Sequence, residues 1–296
     1  MSTPLEPVAD NPFADFAPDA AAPAAGLIDP DNPPWGVLAG FSVWLASIVL
    51  MVVAYLLVVI PYVLITQGIS ASGQLRESLM SDPNMMLLSV ASVVPSHLAT
   101  LLLVWAVVTN FGKRPFFRTI GWGWSPRFGL WTSAALAVLL LVLGGVLMYF
   151  LGRDVKTPFD EMLESSVQAR FATAFLATAT APLVEELVYR GVLYPALRRA
   201  MGMFAAVVAV ATLFTVVHVS QYYNNPAVIA TVGGLAFALT YVRARTGRLL
   251  PCFVIHLVFN GIQCAWLVLE YFYPLPQQQP TETQVGLVVA LLPWLL

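Results

Sequence analysis

The sequence predicts an all-α, polytopic membrane bundle of about seven to eight transmembrane helices; the four-helix catalytic core within it is what a resemblance given below implies. Three observations carry the prediction of the bundle. Hydrophobic residues make up 59% of the 296 positions and charged residues only 10%, with a mean hydropathy of +0.79, which places the chain in the polytopic membrane class. Apolar runs of about 20 residues, enough to cross a hydrocarbon core of about 30 Å, recur along it. Short polar loops that hold most of the basic residues separate those runs.

Residues 1–36 contain eight prolines, six acidic residues and no Lys or Arg. Such a segment buries too little apolar surface to order itself, so a flexible cytoplasmic tail is expected, and it lacks the basic start of a secretory signal. Spans are expected near 37–65, 85–109, 128–151, 171–193, 203–221, 227–243 and 249–271. The stretch 152–170 mixes Asp154, Asp160, Glu161 and Glu164 with apolar residues and is expected to lie along the outer surface. Residues 37–170 thus form an N-terminal set of helices and loops, 171–271 the core, and 272–296 a hydrophobic end. Its run from Gln284 to Leu296 is short for a full crossing.

Orientation follows from basic residues, which concentrate in cytoplasmic loops. One set of loops holds Lys113, Arg114, Arg118, Arg127, Arg190, Arg198, Arg199, Arg243, Arg245 and Arg248, and the other only Arg76, Arg153, Lys156 and Arg170. The N-terminus is therefore expected in the cytoplasm, and the membrane is expected to be a bacterial plasma membrane. A net charge of -2 and a pI near 5.9 give no basic footprint, so nucleic acid is not an expected partner. The two cysteines, Cys252 and Cys264, make neither a disulfide framework nor a CxxC motif.

Three polar clusters fall inside predicted spans. The first is Ala181-Pro182-Leu183-Val184-Glu185-Glu186-Leu187-Val188-Tyr189-Arg190-Gly191. Ionisable residues at that depth are costly, so they point to function. On a helix Glu186 and Arg190 share a face in the favourable i,i+4 orientation, while Glu185 points about 100° away. One carboxylate is then neutralised and the other free. The plainer reading is that the charges pin a helix end at the interface.

The second cluster is Phe214-Thr215-Val216-Val217-His218 and the third His256-Leu257-Val258-Phe259-Asn260. In each, the first and last residues share a helical face. Singly, His218 reads as a packing histidine and Asn260 as interhelical glue. Together with Glu185 they supply a base for water, a group to orient it and donors for an oxyanion, an inventory that fits hydrolysis.

Ala181 to Gly191 resembles the EExxxR motif of the CPBP intramembrane proteases, the family of the Rce1-type CaaX prenyl protease and of bacterial Abi immunity proteins. Phe214 to His218 is similar to that family's FxxxH motif, and His256 to Asn260 to its HxxxN motif. The turn Tyr241 to Pro251 resembles the one that precedes the last motif. The resemblance covers about residues 171–263. It implies an endopeptidase with its site in a cavity among four core helices, cleaving near the cytoplasmic leaflet. In it Glu185 and His218 activate the attacking water, His256 and Asn260 stabilise the oxyanion, and Glu186 and Arg190 support them.

A peptide or membrane-anchored protein substrate in the lipid bilayer is the expected partner. No metal or other cofactor is favoured, since no HExxH is present and Glu185 is needed as the base; a zinc site built from Glu185, His218 and His256 is the alternative. Two other functions remain open on the same residues. One is a non-catalytic scaffold or bacteriocin-immunity protein, and the other a transporter using the polar groups as a relay. Cys252, His97 and the pair Gly233 and Gly234 are read as packing residues, the glycines as sites of close helix approach. One difficulty stands: counted from the expected span ends, Glu185 and His256 lie about 12 Å deep and His218 about 22 Å.

Overall fold

The computed structural model describes residues 29–66, 82–126, 128–152 and 155–273. It is helical throughout, with no strand among the described residues, and seven helical stretches are long and apolar enough to cross a membrane. In chain order the helices are α1 (Val37–Thr66), α2 (Pro83–Ala91), α3 (Val93–Thr109), the short α4 (Phe116–Thr119), α5 (Leu130–Leu151) and α6 (Pro158–Ser165). They continue as α7 (Val167–Ala179), α8 (Ala181–Glu185), a π-helical segment Glu186–Leu193, α9 (Tyr194–Met201), α10 (Met203–Tyr222), α11 (Pro226–Thr246) and α12 (Leu250–Phe272). Helices α2 and α3 together make one span, and the run from α7 to α9 makes another of 35 residues. The chain is a multi-pass membrane protein.

Local chemistry sets the ends of these elements. Asp82 caps α2 by accepting from the amides of Asn84 and Met85, with Pro83 at the first helical position, where the missing N–H costs nothing. The Tyr62 hydroxyl donates to Asp82 at 2.6 Å, tying α1 to α2, and this hydrogen bond holds the Asp82 carboxyl below the usual carboxylate range. Thr157 and Asp160 form a capping box on α6. Gly247 closes α11 in the left-handed region at φ 64°. Arg198 and Arg199 end α9, and Arg243 and Arg245 end α11, where positive charge opposes the negative helix terminus.

Seven alternating spans put these basic helix ends, the start of α1 and the 110–129 loop on one face of the bundle, called the basic face below. Helix α6 and the ends of α10 and α12 lie at the other. The expected spans match the observed ones to within a few residues, except that the fourth runs on to Met201 rather than stopping near 193. That extension accounts for the mismatch between Glu185 and His218. Glu185 precedes the helix end at Met201 by 16 residues and His218 follows Met203 by 15, so at about 1.5 Å per residue the two come level across the hairpin.

The core is continuous around the π-helical segment, all eight residues of which are buried. A π turn is a local widening of the helix that is enriched at functional sites. Helix α1 lies close against it and the start of α9: a Cβ built on Gly40 would meet Val192 O at 3.5 Å, Leu193 Cα at 3.6 Å and Ala196 Cβ at 3.0 Å. Gly144 on α5 is a second close approach, since its Cβ would meet Thr231 Cγ2 on α11 at 2.7 Å. Of the two glycines expected to serve this way, Gly233 faces Thr215 at 3.4 Å, whereas Gly234 has nothing within 4 Å and makes no close crossing.

The N-terminal segment differs from the expected flexible tail, which was placed over residues 1–36. Residues 29–36 are held against the basic face, and residues 1–28 lie outside the described residues. Asp31 pairs with Arg198 and, at 2.6 Å, with the fully buried Arg243. Arg243 also donates to Pro30 O, Arg199 donates to the carbonyls of Pro33 and Trp35, and the Trp35 indole donates to Val192 O at 3.0 Å. The proline-rich composition suggested disorder, but three arginines from helix ends, Arg198, Arg199 and Arg243, supply partners that local sequence does not show. The run 284–296 also lies outside the described residues.

Candidate active site

Glu185 and Glu186 are adjacent in the chain and face different surroundings. Glu186 opens the π-helical segment and is fully buried; its Oε1 accepts from Arg190 Nη1 at 3.0 Å. The rest of the Arg190 guanidinium is also satisfied, Nη2 by Ala236 O and Nε by Thr240 Oγ1, both at 3.1 Å on α11. Its planar group lies 4.7 Å from the Phe214 ring centroid, a cation–π contact favoured where water is excluded. Arginine thereby joins the π-helical segment to α10 and α11, and a lysine could not match that geometry.

The same Glu186 Oε1 lies 2.9 Å from His256 Nδ1. A carboxylate accepts, so Nδ1 carries a proton and the opposite ring nitrogen, Nε2, faces Glu185, whose Oε2 is 3.7 Å away. His256 thus stands between two carboxylates, hydrogen-bonded to Glu186 and within ion-pair distance of Glu185. Glu185 itself is 25% exposed and forms no hydrogen bond among the described residues.

His218 is fixed from its other side. Its Nδ1 is 2.7 Å from Phe214 O, an acceptor, so Nδ1–H donates and Nε2 is left as a free lone pair. The imidazole stacks on Phe214 with centroids 4.5 Å apart, and the Phe214 ring in turn meets His256 edge-on at 6.0 Å. Asn260 donates one amide hydrogen to Ala177 O on α7 at 3.0 Å, which leaves its second hydrogen and its oxygen unused.

Glu185, His218, His256 and Asn260 all line one cavity of about 470 Å³. Glu185 approaches His256 Nε2 at 3.7 Å; no hydrogen bond or ion pair joins Glu185 to His218 among the described residues. Glu186 and Arg190 lie behind the wall, in contact with it through His256. For a metal the fit is poor: no three His, Cys, Asp or Glu side chains among the described residues gather closely enough to hold an ion. Both His256 Nδ1 and His218 Nδ1 are already committed, and the Nε2 of His256 faces the carboxylate at 3.7 Å. No step below runs through one.

One cavity residue was set aside at the sequence level. His97 on α3, read as structural for want of a charged neighbour, lines the same cavity with Nδ1 2.9 Å from Thr180 Oγ1. Thr180 lies between α7 and α8, 83 residues away, so nothing in the local sequence signals it. Cys252, by contrast, is buried outside the cavity with its thiol 3.2 Å from Leu239 O, in keeping with its reading as a packing residue.

Residues 167–262 match the protein family described as type II CAAX prenyl endopeptidase Rce1-like. No curated protein matches the chain, and no solved structure does.

Proposed function

Residues 167–262 belong to the Rce1-like type II CAAX prenyl endopeptidase family, and from that premise we propose that the chain hydrolyses a peptide bond inside the membrane with Glu185 as its base. The observation that carries this reading is the division between the two carboxylates. Glu186 is neutralised by Arg190 and shared with His256, whereas Glu185 faces the cavity partly exposed, without a hydrogen bond among the described residues and 3.7 Å from His256 Nε2.

A water between Glu185 and the free Nε2 of His218 is polarised by both. Glu185 takes its proton as the oxygen adds to the scissile carbonyl carbon. The oxyanion that forms is met by the unused Asn260 amide hydrogen and lies beside the His256 ring, the two side chains being held in place by Ala177 O and Glu186 respectively. When the C–N bond breaks, Glu185 returns the proton to the leaving amine. The substrate is a peptide or membrane-anchored protein, and the basic face with the N-terminus lies in the cytoplasm under the positive-inside rule. No metal is assigned a role.

Cleavage of a quenched fluorescent peptide library in detergent tests the proposal. The intact protein is expected to release fluorescence and Glu185→Gln to release none. A Glu185→Gln protein that cleaves as well as wild type would remove the base, and an intact protein that cleaves no peptide would favour the non-catalytic scaffold.

A further inference from the structure

Of the three histidines in the chain, all of which line the cavity, His97 is the one that the hydrolysis above does not use. It sits buried on α3, which packs against α8, the short helix that ends in Glu185. Thr180 stands at the head of α8. Its one hydroxyl hydrogen goes to Leu176 O at 3.3 Å, so its oxygen accepts the His97 Nδ1 hydrogen at 2.9 Å. The ring is thereby the tautomer whose lone pair is on Nε2. That nitrogen makes no hydrogen bond among the described residues, and His97 is near enough to Glu185 for the two to interact electrostatically.

A second cavity side chain is pinned to the same stretch of backbone. Asn260, from α12, donates to Ala177 O, three residues before Thr180. His97 and Asn260 therefore reach the run from α7 to α8 from two different helices and are fastened to it roughly 4.5 Å apart along its axis. They offer opposite chemistry, Asn260 a spare N–H and His97 a spare lone pair. A trans peptide group carries the matching pair, a carbonyl oxygen and an N–H that point in opposite directions. The cavity walls are mostly aliphatic, with Val93, Leu141, Leu176, Val232 and Phe259 among them. A backbone N–H brought between them without an acceptor gives up its water partner with no replacement.

We propose that His97 holds the substrate at the reacting bond: its Nε2 accepts the N–H of the scissile amide while Asn260 meets the carbonyl oxygen of the same peptide group. This deepens the peptidase reading above and rests on it. As water adds to the carbonyl carbon, amide resonance is lost and the nitrogen becomes pyramidal. Held through its hydrogen on His97, the nitrogen turns its new lone pair away from that ring and toward the proton that Glu185 took from the water. The C–N bond breaks as the nitrogen takes that proton, and the original amide hydrogen leaves with the amine. His97 gains and loses no proton; it acts by orientation.

The test reads two substrates on each protein. One is a peptide that the quenched library shows to be cleaved, and the other is the same peptide with its scissile amide replaced by an ester, which keeps the carbonyl and lacks the N–H. His97→Asn retains a donor where Nδ1 stands, and so the Thr180 contact, but leaves nothing at the Nε2 position. It is expected to lower the ratio of kcat/KM for the amide over the ester about tenfold, the loss of one hydrogen bond. His97→Gln, whose side-chain oxygen reaches the Nε2 position, is expected to recover part of that ratio. A loss of folded protein lowers both substrates alike and cancels. An unchanged amide-to-ester ratio in His97→Asn, or no recovery in His97→Gln, overturns the inference and leaves the peptidase reading standing. An intact protein that cleaves no member of the library overturns the peptidase reading and the inference with it.

Discussion

Glu185 and Glu186 show how a single residue of offset decides a role. Arg190 neutralises Glu186 at a site with no water to take over, so Arg190→Ala leaves a buried carboxylate uncompensated. The expected loss is on the order of 3 kcal/mol, seen as a marked fall in the thermal midpoint in detergent, together with lost activity. Glu185 is partly exposed and has only the 3.7 Å approach of His256 Nε2 to lose, so Glu185→Gln is expected to leave that midpoint near wild type while abolishing cleavage. Equal destabilisation by the two changes would contradict the division. The Glu186 and Arg190 pair was legible in the sequence because it is local, four residues apart on one face. The contact of Glu186 with His256 was not, since it closes over 70 residues, and spacing within a helix says nothing about which helix lies opposite. For the same reason His97 passed as a packing residue.

At the scale of elements, the spans could be read from apolar run length, because the bilayer fixes how long a run must be. Two features could not. The π-helical segment depends on tertiary contacts around Glu186 and Arg190, and the extension of the fourth span to Met201 includes the charged Arg198 and Arg199, which look like a loop by composition. That extension is what levels Glu185 with His218. The docking of residues 29–36 was hidden in the same way, by partners more than 160 residues downstream. Asp31→Asn is expected to leave Arg243 buried without its counter-charge. Since Asp31 is itself partly exposed, the loss is roughly 1–3 kcal/mol, measured as a lowered thermal midpoint. An unchanged midpoint would show that the segment only rests on the basic face.

For the whole molecule, the bundle separates a closed, basic end from an end where a cavity reaches Glu185, His218, His256 and Asn260, carried on three spans. The described side chains are not grouped as a metal site, so a strong chelator is expected to leave peptide cleavage unchanged. Loss on chelation with recovery on adding zinc would instead assign ligands among Glu185, His218 and His256. The central claim is that Glu185 and His218 act on one water as a unit, although no hydrogen bond or ion pair joins them among the described residues. The most direct test is a double-mutant cycle on peptide cleavage. Glu185→Gln and His218→Ala should each reduce the rate to background, with the double change costing no more than either single one, because groups acting on one step are non-additive. Asn260→Ala, which removes one oxyanion donor, should retain a rate about 10²- to 10³-fold below wild type. Multiplying losses for Glu185 and His218, or persistent cleavage by Glu185→Gln, would contradict the account.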